Sequence, residues 1–158
     1  MKKQTLLRWL SLVLVALVLF TGCGKLEAFT SPGTEAAVSA ITEDGAYSSK
    51  EEVAEYLHQF GHLPSNYLTK KEAQALGWVA SEGNLWQVAP GMSIGGDRFG
   101  NREGLLPEAQ GRQYYECDID FDGKYRNAKR IVFSNDGLIY YTEDHYESFQ
   151  LLSGEAAP

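Results

Sequence analysis

Trp9 to Phe20 is apolar at every position except Ser11, and Lys2, Lys3 and Arg8 precede it. Such a run behind a positive segment is short for a membrane span and right for a signal-peptide core, so residues 1–22 are expected to be a leader. From Gly24 to about Gly45 no apolar period holds and Ala, Ser, Thr, Gly and Glu dominate, which predicts a flexible tether over 23–45. The pattern then becomes helical. Val53, Tyr56, Leu57 and Phe60 fall on one face, Ser48 and Ser49 with Glu51 and Glu52 supply a start, and Gly61 supplies a stop. The spacing predicts a capped helix whose narrow aromatic face packs on a sheet. Thr69 with Glu72 at the capping-box position starts a second, short helix that Gly77 closes, and Asn84 to Ala89 predicts a third before Pro90-Gly91.

Beyond these helices the period changes to two. Gln113 to Asp120 alternates, with Tyr115, Cys117 and Ile119 on one face and Tyr114, Glu116 and Asp118 on the other. Lys129–Ser134 and Leu138–Thr142 flank Asn135-Asp136-Gly137, a strong hairpin signal. Gly95, Gly96, Gly100 and Gly104 crowd a segment expected to be a loop of unusual backbone geometry, and residues 153–158 are expected to be a frayed tail. Helices followed by antiparallel strands predict an α+β fold with one domain over 46–152. The 158-residue length allows one domain with a real core.

Charge removes one class of function. The chain carries −7, and losing Lys2, Lys3 and Arg8 with the leader takes three of 14 cations and none of 21 acids, so −7 becomes −10. That argues against nucleic-acid binding by bulk electrostatics, and any polyanion site must be a local positive patch. Of the two cysteines, Cys23 follows Phe20-Thr21-Gly22, which resembles a lipoprotein acylation box with Phe20 where Leu is usual. Lipid anchoring on Cys23, ordinary cleavage and an uncleaved anchor all place the domain outside the cytoplasm. Cys117 is then a buried thiol, with a Cys23–Cys117 bridge as the alternative.

Candidate chemistry concentrates between Arg112 and Tyr146. Arg126 and Arg130 would project to the same side if the segment joining them is extended, an arrangement that disfavours itself unless an anion sits between them. Glu116 is a poor strand former in a good strand, so it is either an outward carboxylate or a placed one. Lys70 opposes the dipole of its helix, which fits either solvation or a task elsewhere. His145 alone fits a solvated residue as well as a catalytic one. Asp118 to Gly123 matches the first half of an EF-hand loop, but its twelfth position is Lys129, so a strand and acidic turn is the better reading. His58 and His62 lack a third ligand for zinc.

Long stretches carry a resemblance: LPSNYLTKKEAQALGWVASEGNL, VAPGMSIGGDRFGNREG, GRQYYECDIDF, YRNAKRI and LIYYTEDHY. From about Val53 to Phe149 the chain resembles the barnase-like family of small secreted guanyl-preferring bacterial ribonucleases. The resemblance implies N-terminal helices on a twisted antiparallel sheet, and cleavage of single-stranded RNA without cofactor or metal. It implies Glu116 as general base, His145 as general acid, and Lys70, Arg126 and Arg130 around the phosphate, with Lys70 held by Asp97. It places guanine on the loop of Phe99, Asn101, Arg102 and Glu103, with Tyr146 beside it. A monomer is expected, with a barstar-like intracellular inhibitor as a partner. Gly100 stands where relatives have Ser, and Gly137 where one has Trp, so hairpin packing must differ. The rival reading is a catalytically quiet surface module that binds a nucleotide or a protein on the same fold.

Overall fold

The computed structural model describes residues 40–155; the expected leader, Cys23, most of the tether and residues 156–158 lie outside the described residues. Four short helical segments precede the main strands: α1 (Lys50–Phe60), α2 (Lys70–Ala75), a 3-10 turn (Ala80–Glu82) and α3 (Leu85–Val88). The strands are β1 (Tyr67–Leu68), β2 (Ser93–Phe99), β3 (Tyr114–Asp118), β4 (Arg130–Ser134), β5 (Ile139–Thr142) and β6 (Gln150–Ser153). They form one sheet in the order β1-β2-β3-β4-β5-β6. The fold is α+β, as expected.

Local signals act where they were read. Ser49 caps α1 by accepting from the Glu52 N–H, and Gly61 ends it in the left-handed conformation at φ 72°. Thr69 and Glu72 form the reciprocal capping box of α2. Val53, Tyr56 and Leu57 are the buried face of α1. Val53 and Leu57 meet Cys117, Ile119, Ile131 and Ile139 from the sheet, which makes the main core. A second cluster, Ala73, Trp78, Leu85, Ala89, Ile94 and Phe121, lies under α2 and α3. Burying each fully enclosed aliphatic side chain here contributes about 1.5–3 kcal/mol relative to leaving it in water. The Cys117 thiol is free and fully buried.

Three features depart from expectation. Residues 95–99 belong to β2 rather than to a loop, with a bulge between Gly95 and Asp97. Glycine is required there, because a Cβ on Gly95 would meet the Cys117 Cβ at 2.6 Å, and Gly96 sits at φ 91°. The sheet is not wholly antiparallel, since β1 pairs with β2 in parallel. Finally, Ser153, the first residue of the expected frayed tail, is paired opposite Ile139 as the last residue of β6. At the other end of the domain, the Tyr56 hydroxyl donates to Glu43 O at 2.8 Å, so the last residues of the expected tether are held against α1.

Candidate active site

The face of β3 turned away from α1 presents Tyr114, Glu116 and Asp118, as its alternation predicts. Glu116 is 7 % exposed and both its oxygens are engaged. Lys70 Nζ donates to Oε1 at 2.5 Å, and the Tyr146 hydroxyl donates to Oε2. Burial pushes the Glu116 carboxyl up, but the hydrogen bonds from Lys70 and Tyr146 and the charges of Lys70 and Arg126 outweigh it, leaving the group below its ordinary value. The phenol of Tyr146 is raised by burial and by the Glu116 carboxylate it serves. Lys70 is aimed by its position at the start of α2, where its backbone N–H donates to Asp97 Oδ2 at 2.9 Å. Asp97 thus supports Lys70 through the main chain, whereas the ammonium is held by Glu116.

Asp118 is the residue the sequence reading missed as part of the site. Arg126 forks onto it, Nε to Oδ2 at 2.7 Å and Nη2 to Oδ1 at 2.6 Å. Arg130 Nε lies 3.0 Å from the same Oδ1, too poorly aligned for a hydrogen bond but close enough for a charge contact. Its Nη1 donates to Lys129 O at 2.7 Å. Burial lowers the Arg126 guanidinium, yet the bonds and charge of Asp118 raise it above the usual arginine value. Asp118 and Arg130 are 1 % and 2 % exposed, so this is a buried pair joined by a half-buried second arginine. Arg126 lies in the loop before β4 rather than in an extended segment, and the two arginines converge because an anion of the protein sits between them. The signal was present: alternation puts Asp118 on the Glu116 face.

His145 is exposed at φ 58°, its ring centroid 4.6 Å from that of Tyr146, itself at φ 77°. Non-glycine residues adopt this conformation at a cost of order 1–3 kcal/mol. Asp144 holds the turn by accepting from Ser148 Oγ at 2.6 Å, Ser148 N at 2.9 Å and Thr142 Oγ1 at 2.9 Å. These bonds, those from Ser148 first, pull its carboxyl down to about 2. Tyr146 therefore touches both candidate proton-transfer groups, Glu116 through its hydroxyl and His145 through its ring.

The loop after β2 begins beside the same tyrosine. The Phe99 ring lies 5.1 Å from Tyr146 and 6.0 Å from Phe149. Asn101, at φ 42°, clamps the loop from within: its amide donates to Leu106 O at 2.9 Å and accepts from Leu106 N at 3.0 Å. Gly104 N closes the turn onto Asn101 O at 3.0 Å. Only the backbone of Asn101 is therefore available to a ligand. Arg102 and Glu103 are exposed and make no hydrogen bond or ion pair among the described residues.

The metal readings lose their ligands to other partners. Asp118 is held by arginines and Asp120 by Lys129 Nζ at 2.8 Å. His58 Nδ1 is 3.0 Å from Ser153 Oγ, and His62 Nδ1 2.9 Å from Leu63 O. Among the described residues no three His, Cys, Asp or Glu side chains are placed to hold a metal ion.

A buried ionised carboxylate, a nearby exposed imidazole and three converging cations define an acid–base site suited to a phosphodiester, with a polar loop beside it for whatever the phosphate carries. Sequence comparison agrees. A ribonuclease family model matches residues 50–153, and the chain belongs to that family. It is 47% identical over 146 residues to a ribonuclease of Bacillus intermedius, covering 86% of this chain and 90% of that one. A ribonuclease of Heyndrickxia coagulans is 60% identical over 97 residues, 61% of this chain and 89% of its own. Guanyl-specific ribonuclease St of Saccharopolyspora erythraea is 46% identical over 57 residues, 35% of this chain and 56% of that one. The protein is a ribonuclease of the barnase-like bacterial group.

Proposed function

We propose that this ribonuclease cleaves single-stranded RNA 3′ to guanosine, by transesterification to a 2′,3′-cyclic phosphate followed by hydrolysis to a 3′-phosphate. The observation that carries this reading is Glu116, ionised and gripped by Lys70 and Tyr146, on the same sheet face as the Asp118–Arg126–Arg130 cluster.

In the first step Glu116 takes the proton of the ribose 2′-hydroxyl, and the 2′-oxygen forms a bond to phosphorus. The bond to the 5′-oxygen breaks as His145 protonates that oxygen. In the second step His145 takes a proton from water as the water oxygen bonds to phosphorus, and the bond from phosphorus to the 2′-oxygen breaks as Glu116 returns its proton to that oxygen. Such proton transfers contribute typically about 10²–10⁴-fold each. Lys70, Arg126 and Arg130 face the phosphoryl oxygens, where preorganised cations stabilise developing charge. An arriving phosphate competes for Lys70, and releasing that ammonium from Glu116 raises the basicity of the carboxylate.

Guanine is read on the loop. Backbone amides near Asn101 and Arg102 meet O6, the free Glu103 carboxylate takes the N1 and N2 hydrogens, and Phe99 and Tyr146 flank the base. The guanyl-specific relative supports this preference. Residues 1–22 export the chain, and Cys23, if acylated, tethers it outside the membrane. A barstar-like inhibitor would protect the producing cell.

GpN and ApN dinucleotides incubated with the mature domain, alongside Glu116→Ala and His145→Ala variants, test the reading. GpN is cleaved and ApN is cleaved far more slowly, and each variant loses activity. Equal rates on both would remove the guanine preference, and no cleavage of either would leave a quiet binding module.

A further inference from the structure

A second polar cavity of about 360 Å³ lies against the base loop, and the reaction leaves it unused. It shares Phe99 and Asn101 with the loop but includes none of Glu103, Glu116 or Tyr146. Its remaining walls include Arg98, Glu108, Arg112 and Gln113. Arg98 follows the bulge on β2, is exposed, and has no ion pair among the described residues. Arg112 is different: its side chain is 7 % exposed, with Nε donating to both Asp136 oxygens at 3.1 and 2.9 Å and Nη1 to Pro107 O at 3.0 Å. None of these bonds uses Nη2, and the Tyr114 hydroxyl, which donates to the same Pro107 O, lies beside the guanidinium on the cavity wall. The cavity thus holds a rigid, nine-tenths buried guanidinium with a donor to spare, beside a second, free guanidinium.

Two arginine forks suit phosphate oxygens. The free carboxylate of Glu108 and the amide nitrogen of Gln113 suit the exocyclic amine and ring acceptors of a base, and the size fits a nucleotide rather than a bare ion. In a domain that is acidic overall, an unpaired Arg98 beside a recognition loop is a local exception to the field around it.

We infer that this cavity is a second nucleotide site, in which Arg98 and Arg112 Nη2 take a phosphate and Glu108 reads an amino-bearing base. The inference rests on the ribonuclease reading of the neighbouring site. The nucleotide has two possible sources, the residue 5′ to the cleaved guanosine or a free mononucleotide, and the shared wall of Phe99 and Asn101 couples either one to guanine binding.

Cleavage of GpU and of ApGpU is compared for the wild type, Arg98→Ala and Arg98→Lys, with adenosine 5′-monophosphate titrated separately against each protein by NMR. If the neighbouring residue is the ligand, Arg98→Ala lowers kcat/KM for ApGpU relative to GpU by roughly three- to tenfold at low salt, and Arg98→Lys restores most of it. If the free nucleotide is the ligand, it shifts the amides of Arg98 and Gln113 in the wild type, binds several-fold more weakly to Arg98→Ala, and leaves the ApGpU to GpU ratio alone. An unchanged ratio together with no shifts at Arg98 or Gln113 overturns the inference. Shifts confined to Glu103 and Tyr146 overturn it too, because they place the nucleotide on the base loop alone. Melting temperatures of the variants separate binding from folding. A wild type inactive on GpU would instead sink the ribonuclease reading, so the two failures remain distinguishable.

Discussion

The two ends of the site are built in opposite ways. At the proposed phosphate end two groups are already paired before substrate arrives: Glu116 with Lys70 and Tyr146, and Asp118 with Arg126 and Arg130. At the proposed base end, the backbone is fixed by Asn101 and Leu106 while the exposed Arg102 and Glu103 side chains have no partner among the described residues. The difference teaches where each kind of precision comes from. Charge stabilisation needs groups that do not reorganise during the reaction, and a buried ion-pair cluster supplies that. Base reading needs donors and acceptors left vacant for the ligand, so there the clamp is placed one residue away from the reading groups.

Breaking the phosphate end has the largest expected effect. Glu116→Ala removes the proposed general base and lowers kcat/KM on GpN by about 10²–10⁴-fold, read by initial rates, with little effect on guanosine monophosphate binding. Asp118→Asn leaves Arg130 buried without its counter-charge. Breaking a buried pair in this way costs about 3–5 kcal/mol, which a urea melt measures, and kcat falls as both arginines lose their anchor.

Breaking the base end is milder. Asn101→Ala removes both bonds to the Leu106 backbone and costs about 1–3 kcal/mol, with the loss in kcat/KM concentrated on GpN, so that the GpN to ApN ratio falls. An equal loss on both substrates would show that the clamp serves the fold rather than recognition.

The smallest effect sharpens the comparison through pH. Glu116 must be ionised to act as base, and its carboxyl is held below its ordinary value of 4.5, so the acid limb of kcat/KM falls below pH 4.5. Its stabilising contribution is present above the unfolded value and is lost as pH falls through the folded one. Lys70→Met deletes a bond and a charge that lower the carboxyl, so the acid limb of that variant moves to higher pH. A limb that stays in place would mean that Tyr146 and Arg126 suffice. The acidic composition adds a salt prediction: modest Mg²⁺ raises activity by screening, and activity survives chelation. Complete loss with chelator would sink the metal-free mechanism.

Legibility followed range. The Thr69–Glu72 box, the Ser49 and Gly61 caps of α1 and the Asn135-Asp136-Gly137 turn were readable because each closes bonds within a few residues. The Arg112–Asp136 bridge, with residues 24 apart, was not readable. Nor were β1 and β6: two residues paired in parallel at one edge and a short polar-ended strand at the other carry no period. Of the candidate site residues, Glu116, Lys70 and His145 came with the family resemblance, while Asp118 and the clamp role of Asn101 rest on contacts that only the folded chain makes.

By itself the sequence determined the local caps, the hairpin, the alternation that puts Glu116 and Asp118 on one face, and the family. Only the tertiary structure decided that Asp118 gathers the two arginines, that Lys70 and Tyr146 share Glu116, and that Arg112 and Arg98 border a common cavity. The physical reason is that caps and turns are bonds between near neighbours. A charge cluster, in contrast, is decided by which residues the strand register and buried packing bring within a few ångströms, and no local pattern of residues encodes that distance.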